Sequence, residues 1–292
     1  MQNDWEWFNN NPEIKKLMQH TATQGYYFIL YYMYYVSSAS SVYAGLAFGA
    51  PIMDMILPLN ETREKIPSFP TNYGIDGEKY FILLGIHGFI VNAMAMAWLW
   101  TTDAFIIMMV YHCSSLFNIV GVLLQQLNMK NCNYDEQYEK KIITEAIIVH
   151  KYAIEFAEFI EKSVTKVYGF IFMVNMIMMS ITGFYAVLNF EKRKSEAIRM
   201  ALFTVSQGIH LFLNTIPSQC IINSSESVFH AVYNCKWDEL SIKSKNLLNI
   251  MLTRSSRPYT LTAGKFYPVN FENFGNIIKT SLSYLTVLNS MQ

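Results

Sequence analysis

Charge is what this 292-residue sequence has little of: Asp, Glu, Lys and Arg together make up 15% of it. The 22 basic and 22 acidic residues cancel, so there is neither a basic footprint for nucleic acid nor an acidic tail. Cysteine is scarce as well. Cys113, Cys132, Cys220 and Cys235 have no paired spacing, which excludes a disulfide scaffold and leaves inert or singly paired thiols. The six histidines, His20, His87, His112, His150, His210 and His230, are scattered without HExxH or zinc-finger spacing, and neither a P-loop nor a G-x-S-x-G elbow is present. No catalytic residue, cofactor or metal site is therefore expected, and the chain does not read as an enzyme. What it does have is apolar surface: 52% hydrophobic residues, 15% aromatics and a mean hydropathy of +0.18. That is too apolar for a disordered chain and high for a soluble one, and it points to lipid.

The distribution of the charges divides the chain. No Asp, Glu, Lys or Arg occurs between Lys16 and Asp54, and a hydrocarbon layer of about 30 Å needs only ~20 helical residues, so Gly25 to Met53 reads as a first transmembrane span. Pro58, Pro67, Pro70, Gly74 and Gly77 mark residues 57–79 as a loop. Tyr80 to Leu127 contains a single charge, Asp103, and its midpoint Trp98-Leu99-Trp100-Thr101-Thr102-Asp103 has no turn signal. One long helix projecting from the bilayer is expected there. Residues 128–166 are charged with apolar positions near helical spacing, an amphipathic helix in water. Val167 to Phe190 is free of charge, and Ala197 to Ile222 forms a fourth span after the short link 191–196. Residues 223–268 are polar with one helix around Leu247–Leu252. The last apolar run, Val269 to Met291, carries Thr280, Ser281, Ser283, Thr286 and Ser290, a composition suited to a protein interior or water rather than lipid.

The pattern is that of an all-α, polytopic transmembrane helical bundle with five spans. Residues 1–24 precede the first span, 25–127 hold two spans around the loop, and 128–166 form a water-side segment. A further pair of spans occupies 167–222, a second water-side segment 223–268, and a terminal helix 269–292. The alternate segments 1–24, 128–166 and 223–268 carry 14 basic residues against 7 in 57–79 and 191–199. By the positive-inside rule the N-terminus is cytoplasmic and the C-terminus outside. The sequon Asn60-Glu61-Thr62 then falls outside, where Asn60 is a glycosylation candidate.

Single residues within this frame carry less. Asp103 is an intramembrane charge, a functional hypothesis by default, but one helix turn of displacement makes it a marker of the membrane boundary. Gly45-Leu46-Ala47-Phe48-Gly49 matches GxxxG and is expected to serve close helix packing. Tyr26, Tyr27, Tyr31, Tyr32, Tyr34 and Tyr35 suit interface anchors, while Tyr34, Ser38, Ser41 and Gly45 share a helical face whose aromatic, hydroxyl and small groups suit a pocket for a small apolar ligand.

The C-terminal stretch Arg257-Pro258-Tyr259-Thr260-Leu261-Thr262-Ala263-Gly264-Lys265-Phe266, continuing to Lys279-Thr280-Ser281-Leu282-Ser283-Tyr284-Leu285-Thr286-Val287-Leu288, closely resembles the signature end of insect odorant receptors. Tyr233-Asn234-Cys235-Lys236-Trp237 upstream is similar to the same family. The resemblance extends over the whole chain and implies a receptor of seven spans, of which these five look like the third to seventh, with roughly 100 residues expected upstream. It also implies a ligand-gated, nonselective cation channel in the plasma membrane of olfactory sensory neurons. The expected partners are the odorant co-receptor, in a heterotetramer, a small volatile organic ligand and membrane lipid, with no nucleic acid.

By position from Ser283-Tyr284, the resemblance puts a hydrophobic gate at Val287, with Ser290 and Met291 lining the pore outside it; an apolar ring can dewet a narrow pore and hydroxyls can stabilise hydrated cations. It places the odorant among Ser38, Ser41 and Gly45 on the first span, His87, Ile90 and Met94 on the second, and Phe203 and Ser206 on the fourth. A gustatory receptor-type channel would end differently from Ser283-Tyr284-Leu285. A G-protein-coupled chemoreceptor would need a tail after the last span, and a transporter would be expected to show an internal repeat.

Overall fold

The computed structural model describes residues 2–8, 11–45, 48–57, 74, 76–128 and 136–290, and among these the architecture is helical apart from one pair of two-residue strands. In chain order the helices are α1 (Gln2–Trp7), α2 (Pro12–Gly45), α3 (Gly49–Ile56), α4 (Phe81–Asn128), α5 (Glu136–Leu188), α6 (Lys194–Tyr233), α7 (Ile242–Ser255) and α8 (Phe271–Ser290); the strands are β1 (Thr262–Ala263) and β2 (Tyr267–Pro268). The result is an all-α helical bundle in which α4 packs against α2, α5 and α6, and α5 carries α7, α8 and the hairpin.

The long helices persist because nothing in them stops the hydrogen-bond ladder. In α4 the polar pair Thr101 and Thr102 bonds back to the carbonyls of Ala97 (2.9 Å) and Trp98 (3.0 Å), so the midpoint needs no turn. The change from charged to apolar sequence at residues 166–167 is likewise no joint: residues 136–188 form one 53-residue helix. Helix α6 runs through Pro217 and continues past residue 222 to Tyr233.

The first apolar stretch behaves differently from the expectation of a single helix over Gly25–Met53. Helix α2 begins at Pro12 and ends at Gly45, and α3 begins at Gly49. A side chain built on Gly45 or Gly49 would meet nothing within 4 Å. The two glycines of the GxxxG pattern therefore stand at the two helix ends and do not form a packing groove.

The core is concentrated at one end of the bundle. Leu116, Ile119, Val120 and Leu124 of α4 pack with Ile143, Ala146, Val149 and Ala153 of α5 and with Val228 and Val232 of α6, all fully or almost fully buried, and Leu248 of α7 closes the layer. At the other end large apolar side chains face outward: Ile82, Leu83, Met94 and Trp98 on α4, Phe170, Met173 and Ile181 on α5, and Leu202 and Val205 on α6 are all more than half exposed. An outward apolar band is what contact with lipid tails requires. Among the described residues, α4 and α5 contain windows of mean hydropathy 1.8 and 1.9, long and apolar enough to cross a membrane; α2, α6 and α8 are more polar.

Two buried polar devices complete the packed end. The Glu139 carboxylate, 2% exposed, accepts from Ser241 N (3.1 Å) and Ser244 Oγ (2.8 Å) and so sits on the N-terminus of α7, where free amides and the helix dipole favour a negative charge. The strand pair forms a hairpin that docks on α5. Gly264 N donates to Thr165 O (2.7 Å) and Lys265 N to Thr165 Oγ1 (3.0 Å). A Cβ on Gly169 would lie 2.8 Å from Gly264 N, so the approach needs glycine on α5. Gly264 and Lys265 both have positive φ, 66° and 70°; for lysine this conformation costs about 1–2 kcal/mol. Asn270 Oδ1 then accepts from Asn273 N (2.8 Å) and caps α8.

Candidate functional site

A cavity of about 540 Å³ lies in the outward-apolar half of the bundle, walled by α2, α4, α5 and α6. Most of its surface is apolar, with Val36, Met96, Leu99 and Phe203 inside and the outward-facing Leu202 and Val205 at its open side, and Tyr43 and Phe203 bring their ring centroids to 5.2 Å across the α2–α6 seam. Polar side chains are interspersed with these, the Arg199 guanidinium and the His210 imidazole among them. Tyr35 donates to Ser206 O (3.0 Å), Asn92 Nδ2 donates to Ser40 Oγ (2.6 Å), and Asn175 donates to Ile171 O (2.9 Å). Gln207 Oε1 is buried without a hydrogen-bond partner among the described residues. A mainly apolar space of this size with scattered hydrogen-bonding groups suits a small organic molecule with a single polar function.

Beside this cavity lies a buried polar knot that joins three helices. Tyr32, 1% exposed, donates its hydroxyl proton to Asp103, itself 7% exposed. With that proton committed, the tyrosine oxygen accepts from His210 Nε2 at 2.9 Å. Asp103 Oδ2 lies 3.9 Å from the same nitrogen, and the Asn214 amide is 3.4 Å away. Since His210 also lines the cavity, one imidazole belongs to both the wall and the knot. Asp103 is thus an internal group linking helices. The three partners stand 71 and 178 residues apart in sequence, a separation no local pattern reveals.

The site residues expected from sequence divide between inside and outside. Ser38, Phe203 and Ser206 line the cavity. Ser41 and Gly45 are exposed further along α2, and His87, Ile90 and Met94 lie on the outer face of α4, Met94 at 70% exposure. On α4 the wall is formed by Asn92, Met96 and Leu99 instead. The run is apolar all round, so periodicity could not choose its inner face. A signal was available: Asn92 and Asn175 are amide side chains in largely apolar stretches, and both turn to the cavity. On α8, Val287 is 54% exposed and Ser290 is exposed, both uncovered by the chain itself. Asn60 and Met291 fall outside the described residues.

Long helices with an outward apolar band, gathered over a packed end and bordering a ligand-sized open cavity, define a polytopic helical-bundle membrane protein. Comparison with known proteins narrows this. A model of the family described as 7tm odorant receptor matches residues 6–282, and the chain belongs to the insect odorant receptor family, whose members are multi-pass membrane receptors and not enzymes. Curated relatives include a putative odorant receptor 92a of Drosophila melanogaster, 21% identical over 54% of this chain and 38% of its own length. The odorant receptor coreceptor of Harpegnathos saltator is 27% identical over 47% of this chain and 30% of its own length. The chain therefore spans less than half the length of the curated relatives it matches. Among solved structures, the insect olfactory receptor OR5 of Machilis hrabei in complex with eugenol has the same fold, with a TM-score of 0.73 at 12% identity, covering 95% of this chain and 70% of that one.

Proposed function

We propose that this chain is an odorant receptor subunit that binds a small volatile ligand in the α2–α4–α5–α6 cavity and gates a nonselective cation channel together with the odorant co-receptor, as a heterotetramer in the plasma membrane of olfactory sensory neurons. The observation that carries the reading is the 540 Å³ cavity set inside the apolar band of a chain whose family match runs over residues 6–282. In this reading the chain crosses the membrane five times, with its N-terminus cytoplasmic and its C-terminus and Asn60 outside. Ser38, Phe203, Ser206 and Gln207 contact the ligand. Helix α8 lines the pore, with Val287 as the gate and Ser290 and Met291 beyond it. The bare face of α8, on which Leu282, Tyr284 and Val287 are each more than half exposed, supports a helix completed by other subunits.

The mechanism requires only that ligand bind the open arrangement better than the closed one. His210, shared by cavity and knot, lets an occupant bear on the contacts between α2, α4 and α6. The test is whole-cell recording from the intact receptor with and without the co-receptor. Volatile-evoked current is expected only with both, and Phe203→Ala should shift the response toward bulkier volatiles. Robust current from this chain alone would sink the subunit reading, and signalling through G proteins without current would replace the channel mechanism.

A further inference from the structure

We propose that the tip of the β1–β2 hairpin, together with the adjoining turn of α5, forms a binding surface for anionic phospholipid headgroups at the membrane boundary. The proposal rests on the membrane-spanning reading above and adds a partner to a part of the chain distant from the ligand cavity.

Place is the first argument. The hairpin is bonded to Thr165 through the amides of Gly264 and Lys265, at 2.7 and 3.0 Å. Thr165 is where α5 changes character: Glu155, Glu158, Glu161, Lys162 and Lys166 come before or beside it, and no charge follows from Val167 to Phe190. The hairpin tip is therefore pinned where helix sequence passes from water to hydrocarbon.

Chemistry is the second. Phe266 is 83% exposed, and Val167 and Phe170 on the neighbouring turn are 51% and 64% exposed. Lys265 and Lys166 are exposed beside them, and neither forms an ion pair among the described residues. Of the Glu161 carboxylate, one oxygen accepts from the Thr262 hydroxyl and the other is buried without a hydrogen-bond partner among the described residues, so neither meets a lysine. A bare aromatic flanked by two unpaired ammonium groups fits the zone where rings sit at headgroup level and lysine stems lie along apolar surface with their charge in water. Val167 and Phe170 continue into the outward apolar band of α5 with Met173, so the ring of Phe266 joins the surface that faces lipid tails. A zwitterionic lipid would leave the two positive charges unanswered, whereas a headgroup of net negative charge answers them, each lysine being worth roughly a fivefold gain near an anionic surface.

Backbone conformation is the third. Lys265 holds φ 70° next to Gly264 at 66°, a position where glycine or asparagine would be unstrained. Its side chain is exposed, so no packing inside the chain accounts for lysine there. An external partner does.

The test places the photocrosslinker benzoylphenylalanine at Phe266 in the full chain, reconstituted in nanodiscs of phosphatidylcholine alone or mixed with phosphatidylserine. The same group at Met94, 70% exposed on α4, reports separately on membrane insertion. Position 266 should yield lipid adducts enriched several-fold in phosphatidylserine over its share of the bilayer. Lys166→Glu with Lys265→Glu should bring that enrichment to one while adducts at Met94 stay unchanged. Lipid adducts at Met94 with none at 266, protein adducts at 266, or phosphatidylserine captured only in proportion to its abundance would each overturn the proposal and leave the membrane reading intact. Absence of lipid adducts at both positions removes the membrane reading and the proposal with it.

Discussion

Replacing Tyr32 by Phe removes one oxygen from the place where α2, α4 and α6 meet. That oxygen serves two bonds, donating to Asp103 and accepting from His210 at 2.9 Å, and both partners remain behind in a site where Asp103 is only 7% exposed. A hydrogen bond to a charged group contributes about 1.5–3 kcal/mol, and a buried donor left without an acceptor costs roughly 1 kcal/mol more. Tyr32→Phe should therefore destabilise the bundle by about 3 kcal/mol. In purified protein that corresponds to a fall in thermal midpoint of about 5 °C. The double-mutant cycle with Asp103→Leu separates the bond from the packing: once the carboxylate is gone, loss of the hydroxyl should matter far less, giving a coupling of about 1–3 kcal/mol. Thermal unfolding by intrinsic fluorescence measures all four corners. A loss below about 0.5 kcal/mol for Tyr32→Phe, or additivity of the two substitutions within about 0.5 kcal/mol, would refute the knot as a source of stability.

Two other perturbations act at the packed end. Gly169→Ala would put a methyl 2.8 Å from Gly264 N and 2.9 Å from its Cα, backbone that cannot rotate aside; the expected cost is about 1–3 kcal/mol, read as lost hydrogen-exchange protection at Gly264 and Lys265. Gly275→Ala on α8, with nothing within 4 Å, is the neutral control, and equal behaviour of the two would discredit the close approach. His150, 6% exposed against Phe117, has its pKa lowered from 6.5 to about 4 by burial and then by the Arg254 charge. The unfolded chain therefore takes up the proton first, so stability is complete above about pH 7 and falls as pH drops through 6.5 toward 4, by about 2 kcal/mol at pH 5. His150→Gln should flatten this part of the stability–pH curve; an unchanged curve would assign the acid sensitivity elsewhere.

Much of the helical layout was legible in the sequence because charge and turn residues are so sparse. The absence of any breaker across Trp98–Asp103 is enough to read α4 as continuous, and the Leu247–Leu252 cluster locates α7. The link between Arg257 and Phe266 was recognisable as a motif, but its seat on Gly169 was not, since nothing local joins residues nearly a hundred positions apart. The end of α2 was misread for a physical reason: Gly45 and Gly49 permit close packing and helix termination alike, and only their surroundings decide. The cavity was legible in part. Ser38, Phe203 and Ser206 stand on its wall, whereas His87, Ile90 and Met94 lie on the opposite side of a helix whose faces are equally apolar. Amides in apolar runs proved the better guide, because a buried amide requires a polar neighbour or a space shared with one.

Helix α5 gives the molecule a mechanical property that no single contact contains. Its 53 residues make a rod of roughly 80 Å, which holds Asn175 in the cavity wall and, ten residues away, the seat of the hairpin from which α8 departs. The helix is unbroken between the two points, with Gly169 between them under the hairpin. A displacement of the wall at Asn175 is therefore carried along one continuous helix toward the root of the last one, whereas α6, which walls the same cavity, has Pro217 within its run.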